Sequence, residues 1–196
     1  LPILYNGETY DATKKLTGWN QPGFDEANWG KVHIGNYTNN LIATEGAPIR
    51  KIQEIKPVRI FKSPKGSLLI DMGQNMVGWV RLKVTGPKGT TVRIRHAEVL
   101  DKYGEFYTTN LRSAKCEINF TLAGTGEETY EPRFTFMGFR FVEITGFPGT
   151  LTTDNITGVV VHSDMRPTGY YESSNPLLNQ LQHNIVWGMK GNYVDI

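Results

Sequence analysis

The sequence predicts a mainly β protein, an antiparallel β-sandwich that ends in a helix. Three observations support this prediction. Short apolar alternations separated by glycine and proline turns fill residues 67–163, no helical stripe interrupts that region, and the apolar period becomes helical after Asn175. A chain of 196 residues can bury one substantial core or two small ones.

The strands of this region are predicted where apolar residues alternate with polar ones. Such alternation covers residues 80–84 and 92–95, on either side of a Gly-Pro-Lys-Gly turn at 86–89. A further half-buried strand is predicted over 116–122. The run of three valines at 159–161 is apolar on both faces, which is typical of a covered strand.

The aromatic block Glu-Pro-Arg-Phe-Thr-Phe-Met-Gly-Phe-Arg at 131–140 changes phase within one predicted strand. Phe134 and Phe136 share one face, whereas Phe139 and Phe141 would lie on the other. Two interpretations stay open. A β-bulge at Gly138 would bring the four rings to one face, or both faces are buried, one inside the sandwich and one against a neighbouring domain.

The first 60 residues are less regular than the region after them. Trp19, Phe24 and Trp29 surround turn-forming residues, as in the closing part of an earlier β domain. The turn chemistry of Ser-Pro-Lys-Gly at 63–66 predicts a domain boundary near this point.

The tail is predicted to form an amphipathic helix. Ser174 or Asn175 can cap it, and Pro176 suits its first position. Its apolar residues form one stripe, made of Leu177, Leu181, Ile185 and Met189 and flanked by Leu178 and Trp187. The stripe could pack on the sandwich, but we favour the simpler interpretation that the helix opens a further helical domain. Exposed in isolation, the stripe predicts self-association or a frayed tail.

Composition and charge exclude several classes of function. Twenty-one basic and 19 acidic residues are scattered along the chain, so no continuous basic face is predicted and nucleic acid is discounted as a partner. No stretch approaches the roughly 20 apolar residues that span a bilayer, so no membrane partner is predicted. Cys116 is the single cysteine, which excludes an internal disulfide. The first residues show no starting methionine, basic leader or cleavage site, so any targeting segment is expected upstream and the localisation, cytoplasmic or exported, is left open.

Several blocks in a fixed order resemble one enzyme family. The strongest are Asp-Met-Gly-Gln-Asn-Met-Val-Gly-Trp at 71–79, Arg-His-Ala-Glu-Val-Leu at 95–100 and the aromatic block at 131–140. Further matches lie at 107–112, 160–164, 174–181 and 187–195. With these blocks the chain resembles the bacterial α-L-rhamnosidases of glycoside hydrolase family 78.

The resemblance implies a bacterial, multidomain glycosidase that removes terminal α-L-rhamnose from glycosides with inversion. It implies that residues 1–62 end an N-terminal β-sandwich domain, that 63–168 form a concanavalin-like jelly-roll sandwich, and that 169–196 open an (α/α)6 barrel. In the family, the catalytic acid follows the Asn-Tyr-Val-Asp position at 192–195, and the base lies further on. The resemblance therefore implies no catalytic residue before Ile196.

The residues themselves agree with that implication. Inverting glycosidases need two carboxylates roughly 6.5 to 9.5 Å apart, one acting as acid and one as base. Glu98 and Asp101 are the best local pair, and we interpret them as polar groups of a strand edge and its turn. The histidines lie on separate elements without metal spacing, and we predict neither a metal nor a cofactor.

The best candidates for sugar contact lie in and after an aromatic loop at residues 101–107. They are Asp101, Tyr103, Tyr107, Asn110 and Arg112, since tyrosine rings stack on pyranose faces and polar groups bridge hydroxyls. The alternative, which we favour, is that the loop packs against the helical barrel.

Tryptophans could form a second sugar platform, although burial in a core is the favoured interpretation for Trp19, Trp29 and Trp79. Trp79 is predicted to be the most exposed of the three because it shares parity with Arg81 and not with Val80.

Two functions are therefore weighed. In the first, the chain is a non-catalytic β-sandwich part of an α-L-rhamnosidase, with the helical catalytic domain as partner in cis. In the second, it is an independent carbohydrate-binding module for rhamnose-containing polysaccharide. A complete small enzyme is disfavoured, because no convincing acid and base pair is present.

Overall fold

The computed structural model describes residues 3–194, and within them nine strands form one curled, mixed sheet. The strands are β1 Gly7–Asp11, β2 Ile49–Ile55, β3 Arg59–Lys62, β4 Leu68–Thr85, β5 Thr91–Ala97, β6 Glu117–Thr121, β7 Glu127–Tyr130, β8 Met137–Thr145 and β9 Ile156–Ser163. The helices are α1 Ile3–Asn6 and α2 Pro176–Asn192. The predicted fold class, a mainly β sandwich ending in a helix, is confirmed.

The sheet curls about its longest strand. Its order is β1-β6-β5-β8-β4-β9-β2, and both β3 and β7 also pair with β4. The first part of the 18-residue β4 pairs with β3 and β8, whereas its last part pairs with β9 and β7. One strand therefore joins two parts of the curled sheet. The pair β1–β6 is parallel, and the other pairs are antiparallel.

The alternating strands behave as the sequence predicts, but their pairing does not follow from it. Val80, Leu82, Val92 and Ile94 are fully buried in one core. The two strands that carry them are not a hairpin, because β5 pairs with β6 and β8 instead of β4. The strands on either side of a turn can pair with each other or with other strands, and the residues of the turn do not show which pairing occurs.

The aromatic block at 131–140 is only partly a strand. β8 begins at Met137, so Phe134 lies before it, with 82% of its surface exposed. Phe139 and Phe141 are both buried. The first of the two open interpretations, a bulge at Gly138, is wrong, because Gly138 pairs in regular register with Val77.

The irregularity lies in the partner strand instead. The register of β4 against β8 shifts between Asp71 and Met76. Gly73 makes the extra residues possible: its φ is 78°, and its N–H donates to Asp71 Oδ1 at 2.8 Å. Sequence parity in β8 alone could not show that the bulge belonged to its neighbour.

β9 confirms the prediction of a strand covered on both faces, since all eight of its residues are buried. The prediction for the tryptophans is wrong. Trp19 and Trp29 are 55% and 48% exposed, in a region of the described chain without strands, whereas Trp79 is half-buried. The alternation of side chains along β4 places Trp79 outside the core, but the side chains of Lys51 and Glu131 lie against its ring.

The turn at residues 63–66 is confirmed, and it joins β3 to β4 as a hairpin. Strands before the turn belong to the same sheet as those after it, since β2 pairs with β9 and β1 with β6. The turn is therefore not an end of the sheet. The division of the chain into domains stays a prediction.

Helix α2 confirms the predicted capping and leaves the predicted stripe uncovered. The side chain of Asn175 accepts a hydrogen bond from the Leu177 N–H at 2.9 Å, and Pro176 starts the helix. Trp187 packs against the core, whereas the stripe of Leu177, Leu181, Ile185 and Met189 is exposed. The stripe therefore does not pack on the sheet, which was the first of the two interpretations.

Candidate carbohydrate-contact site

The aromatic loop that follows β5 is held by its own first residue. Asp101 Oδ1 accepts hydrogen bonds from the backbone N–H groups of Tyr103 and Glu105, both at 2.8 Å. The carboxylate of Glu105 accepts in turn from the Lys65 N–H at 2.8 Å. Such a side-chain turn is a common use of aspartate. Asp101 therefore organises the loop, as the interpretation of it as a turn residue predicts.

The loop presents one aromatic ring to solvent. Tyr103 is 69% exposed, with the Lys102 ammonium 4.9 Å from its ring centroid. Tyr107 is half-buried. Asn110 lies in a short 3-10 helix and is exposed. These residues are close together in the chain, and their role in sugar contact stays a prediction.

A groove of about 370 Å³ lies beside the end of this loop. Six polar side chains line it: Arg93 and Arg95 of β5, Thr108, Arg112, Lys115, and Glu117 of β6. Of the residues predicted for sugar contact, the groove contains Arg112. The other residues that line it were not predicted as site residues from the sequence. Arg93 and Arg95 could have been predicted to share one exposed face, since they occupy the outward positions of a predicted strand.

The strand arginines are fixed by carboxylates. Arg93 forms a salt bridge with Glu117 on the neighbouring strand. Arg95 donates to Glu143 Oε2 at 2.8 Å and to the Thr108 hydroxyl at 3.3 Å. Burial alone would raise the pKa of Glu117, but its hydrogen bond from Arg93 contributes to an overall lowering of that pKa. Both strand arginines of the groove are therefore held in place by salt bridges.

Trp79 belongs to a different polar cluster. Its indole Nε1 donates to Glu131 Oε2 at 3.0 Å, and Lys51 Nζ donates to the same oxygen at 2.6 Å. Arg81 pairs with the other oxygen. Burial alone would raise the pKa of Glu131, but the hydrogen bonds from Lys51, Arg81 and Trp79 outweigh it and lower the pKa to about 2. The structure does not bring Trp79 to the groove, since it pairs with Val159 of β9.

Glu98 lies at a second cavity, of about 200 Å³, between the sheet and α2. Its Oε1 accepts a hydrogen bond from Asn75 Nδ2 at 3.3 Å, and Trp187 and Gly191 of α2 form the opposite wall. Glu98 and Asp101 thus have separate local partners.

Two features are absent from residues 3–194, the described part of the chain. In this part of the chain, no group of three His, Cys, Asp or Glu side chains could hold a metal ion. None of the described helices combines the length and hydropathy needed to cross a bilayer.

The curled sheet, its docked helix and the polar groove together define a β-sandwich domain. Residues 61–162 match the family described as the bacterial alpha-L-rhamnosidase concanavalin-like domain, and residues 2–53 match the alpha-L-rhamnosidase N-terminal domain. The chain belongs to the family of the bacterial alpha-L-rhamnosidase concanavalin-like domain.

Individual relatives agree with this assignment. The chain is 48% identical to an alpha-L-rhamnosidase of Streptomyces avermitilis, over 98% of this chain and 19% of the relative. The crystal structure of a Streptomyces avermitilis alpha-L-rhamnosidase complexed with L-rhamnose superposes with a TM-score of 0.93 at 47% identity, covering 98% of this chain and 19% of that one. An Aspergillus terreus alpha-L-rhamnosidase gives 0.94 at 43% identity, covering 98% and 23%. This chain thus spans about a fifth of the length of the relatives that it matches.

Proposed function

We propose that this chain is a non-catalytic β-sandwich part of an α-L-rhamnosidase that hydrolyses terminal α-L-rhamnose from glycosides with inversion. Its own role is to anchor and orient a helical catalytic domain. In this proposal residues 1–62 close an N-terminal domain, 63–168 form the concanavalin-like sandwich, and 169–196 open the helical domain. The catalytic acid and base lie outside these residues.

One observation carries the scaffold role, namely that α2 docks by one side and leaves its apolar stripe free. On the docked side, a Cβ built on Gly191 would lie 3.4 Å from Val77 Cγ2 of β4, so helix and strand approach closely. The Ser163 N–H at the end of β9 donates to the Tyr193 carbonyl at 2.8 Å. His183 Nε2 lies 3.0 Å from Gln74 Oε1. The sheet therefore holds both the middle and the end of the helix.

The free side has the character of a helix interface. Leu181, Ile185 and Met189 recur on one face and are 53%, 56% and 42% exposed. Apolar residues at this spacing normally face a core, because their burial is worth about 1.5–3 kcal/mol per large side chain. Further helices packed on this stripe would be fixed in position relative to the sheet.

The aromatic loop supports the second candidate, an independent carbohydrate-binding module. An exposed tyrosine ring offers a face on which a pyranose can stack, and Tyr103 is 69% exposed. In this alternative the chain would bind rhamnose-containing polysaccharide without help from a catalytic domain.

Activity and binding assays on the purified chain separate these functions. We expect no chromophore release from an aryl α-L-rhamnoside, because the proposal places the catalytic acid and base outside these residues. We also expect no heat on titration with L-rhamnose, because a scaffold role requires no sugar site of its own. Saturable L-rhamnose binding without turnover would favour the binding module. Turnover that Glu98→Gln abolishes would contradict the proposal, with Asp154→Asn, at an exposed site remote in sequence, as the matched control.

The helix stripe gives a second prediction. We expect the isolated chain to self-associate through its exposed apolar face, and Leu181→Ser to shift the chain towards monomer in sedimentation-velocity experiments. Thermal unfolding should change little, because Leu181 is 53% exposed.

Asn184→Ser, at an exposed polar position of the same helix, is the control and should leave association unchanged. If Leu181→Ser and Asn184→Ser associate equally, the stripe is not a contact surface and the scaffold role loses its main support.

A further inference from the structure

The groove beside the aromatic loop carries more positive charge than its carboxylates balance. Four of its lining residues are cationic and one, Glu117, is anionic. Arg93 is paired with Glu117, and Arg95 is paired with Glu143 behind the groove. Among the described residues no salt bridge involves Arg112 or Lys115, the two remaining cations. Within the described residues, the groove therefore has two cations without a salt-bridge partner, Arg112 and Lys115, beside two arginines that are held by carboxylates.

Arg112 is held in a backbone conformation that favours glycine. The Ala114 N–H donates to the Leu111 carbonyl at 3.1 Å and closes a turn in which Arg112 takes the first central position. Its φ is 56° and its ψ is −113°, the values of a type II′ turn. A residue with a side chain at such a position costs roughly 1–3 kcal/mol. This strained turn aims an arginine at the groove where a glycine would fold more easily.

The surroundings of the groove indicate that its anionic ligand is a sugar. Phe106, in the loop that leads to the groove, lies under the Arg95 guanidinium, whose central carbon is 5.1 Å from the ring centroid. Aromatic rings beside polar groups suit pyranose faces. The volume of about 370 Å³ suits one or two sugar units, and the scattered charges of the chain give no longer basic track.

We propose that this groove binds the anionic group of an acidic saccharide, a uronate carboxylate or a sulfate ester, with Arg112 as its direct ligand. A guanidinium donates two parallel hydrogen bonds to a carboxylate or sulfate, and Lys115 adds a second charge. Arg93 and Arg95 are already held by carboxylates and frame the site. L-rhamnose is neutral, so this site is distinct from rhamnose recognition. The choice of a saccharide rests on the proposed function, whereas anion binding by the groove does not.

The test is calorimetric titration of the chain at low salt with four probes: digalacturonate, glucose 6-sulfate, L-rhamnose and sodium sulfate. We expect one or both of the acidic sugars to bind saturably and more tightly than sodium sulfate, and L-rhamnose to give no heat. The better acidic sugar identifies the anion. Binding should weaken as sodium chloride is raised, because exposed charges are screened.

Three variants assign the binding to the groove. Arg112→Gly removes the guanidinium and relieves the turn, so we expect about a tenfold loss of affinity with unchanged or increased thermal stability. Lys115→Gln should weaken binding less, by about threefold. Arg166→Gln, at an exposed position after β9, is the matched control and should bind like the parent chain.

Three results would overturn the proposal. Equal binding by sodium sulfate and the acidic sugars would leave only non-specific attraction. No binding by either acidic sugar would leave the groove without the proposed ligand, and an Arg112→Gly chain that binds as tightly as the parent would place the binding elsewhere. None of these results depends on rhamnoside turnover, so failure of this site is distinguishable from failure of the scaffold role.

Discussion

Replacing Gly78 with alanine should destabilise the sheet by at least about 3 kcal/mol. A Cβ at this position would lie 1.8 Å from the Val159 carbonyl oxygen, and the φ of Gly78 is 149°. The contact lies where β4 pairs with both β8 and β9, so neither neighbour can move away without breaking a ladder. Urea unfolding followed by circular dichroism measures the loss.

Gly89→Ala separates the steric effect from the backbone effect. Gly89 also has a positive φ, of 84°, but no atom outside its two neighbouring residues lies within 4 Å of a Cβ built on it. We expect only the cost of the left-handed conformation, about 1–2 kcal/mol. Equal losses for Gly78→Ala and Gly89→Ala would show that the close approach of β4 and β9 is not what requires the glycine.

Replacing Phe139 with alanine is expected to cost about 3–5 kcal/mol, the usual range for a large aromatic residue removed from a core. Phe139 is completely buried, and its ring packs edge-on against the buried His96 ring with 4.8 Å between centroids. Residues 141–143 of β8 pair with both β4 and β5, so the cavity cannot collapse easily. The midpoint of chemical denaturation should fall accordingly.

Phe134→Ala is the control from the same aromatic block. Phe134 lies outside the strand and is 82% exposed, so its loss should change the free energy of unfolding by less than about 0.5 kcal/mol. Similar costs for Phe134→Ala and Phe139→Ala would contradict the described position of the block.

The two proposed roles use different strands of the sheet. Helix α2 contacts β4 and β9, whereas the basic groove is lined from β5 and β6. In the sheet order, β8 lies between β5 and β4. A domain built this way can hold a helical partner on one set of strands while a second set binds an acidic sugar.

Local patterns in the sequence determined the elements of this protein. Alternation placed Val80, Leu82, Val92 and Ile94 in the core, and the Asn-Pro pair at 175–176 fixed the start of α2. These predictions succeeded because side-chain direction in a strand, and capping at a helix start, depend on residues a few positions apart. The family blocks also identified the type of protein, since their residues and order are read directly.

The contacts between those elements were decided by the tertiary structure alone. Parity put Trp79 outside the core, but only the approach of Lys51 and Glu131 from other elements covers it. The bulge that one of the two interpretations placed at Gly138 lies in β4, because a register shift belongs to a pair of strands and not to one strand. The groove likewise depends on pairing: β5 and β6 bring Arg93 beside Glu117, and a strained turn adds Arg112. Contacts between residues distant in the chain depend on which strands become neighbours, and local patterns do not contain that information.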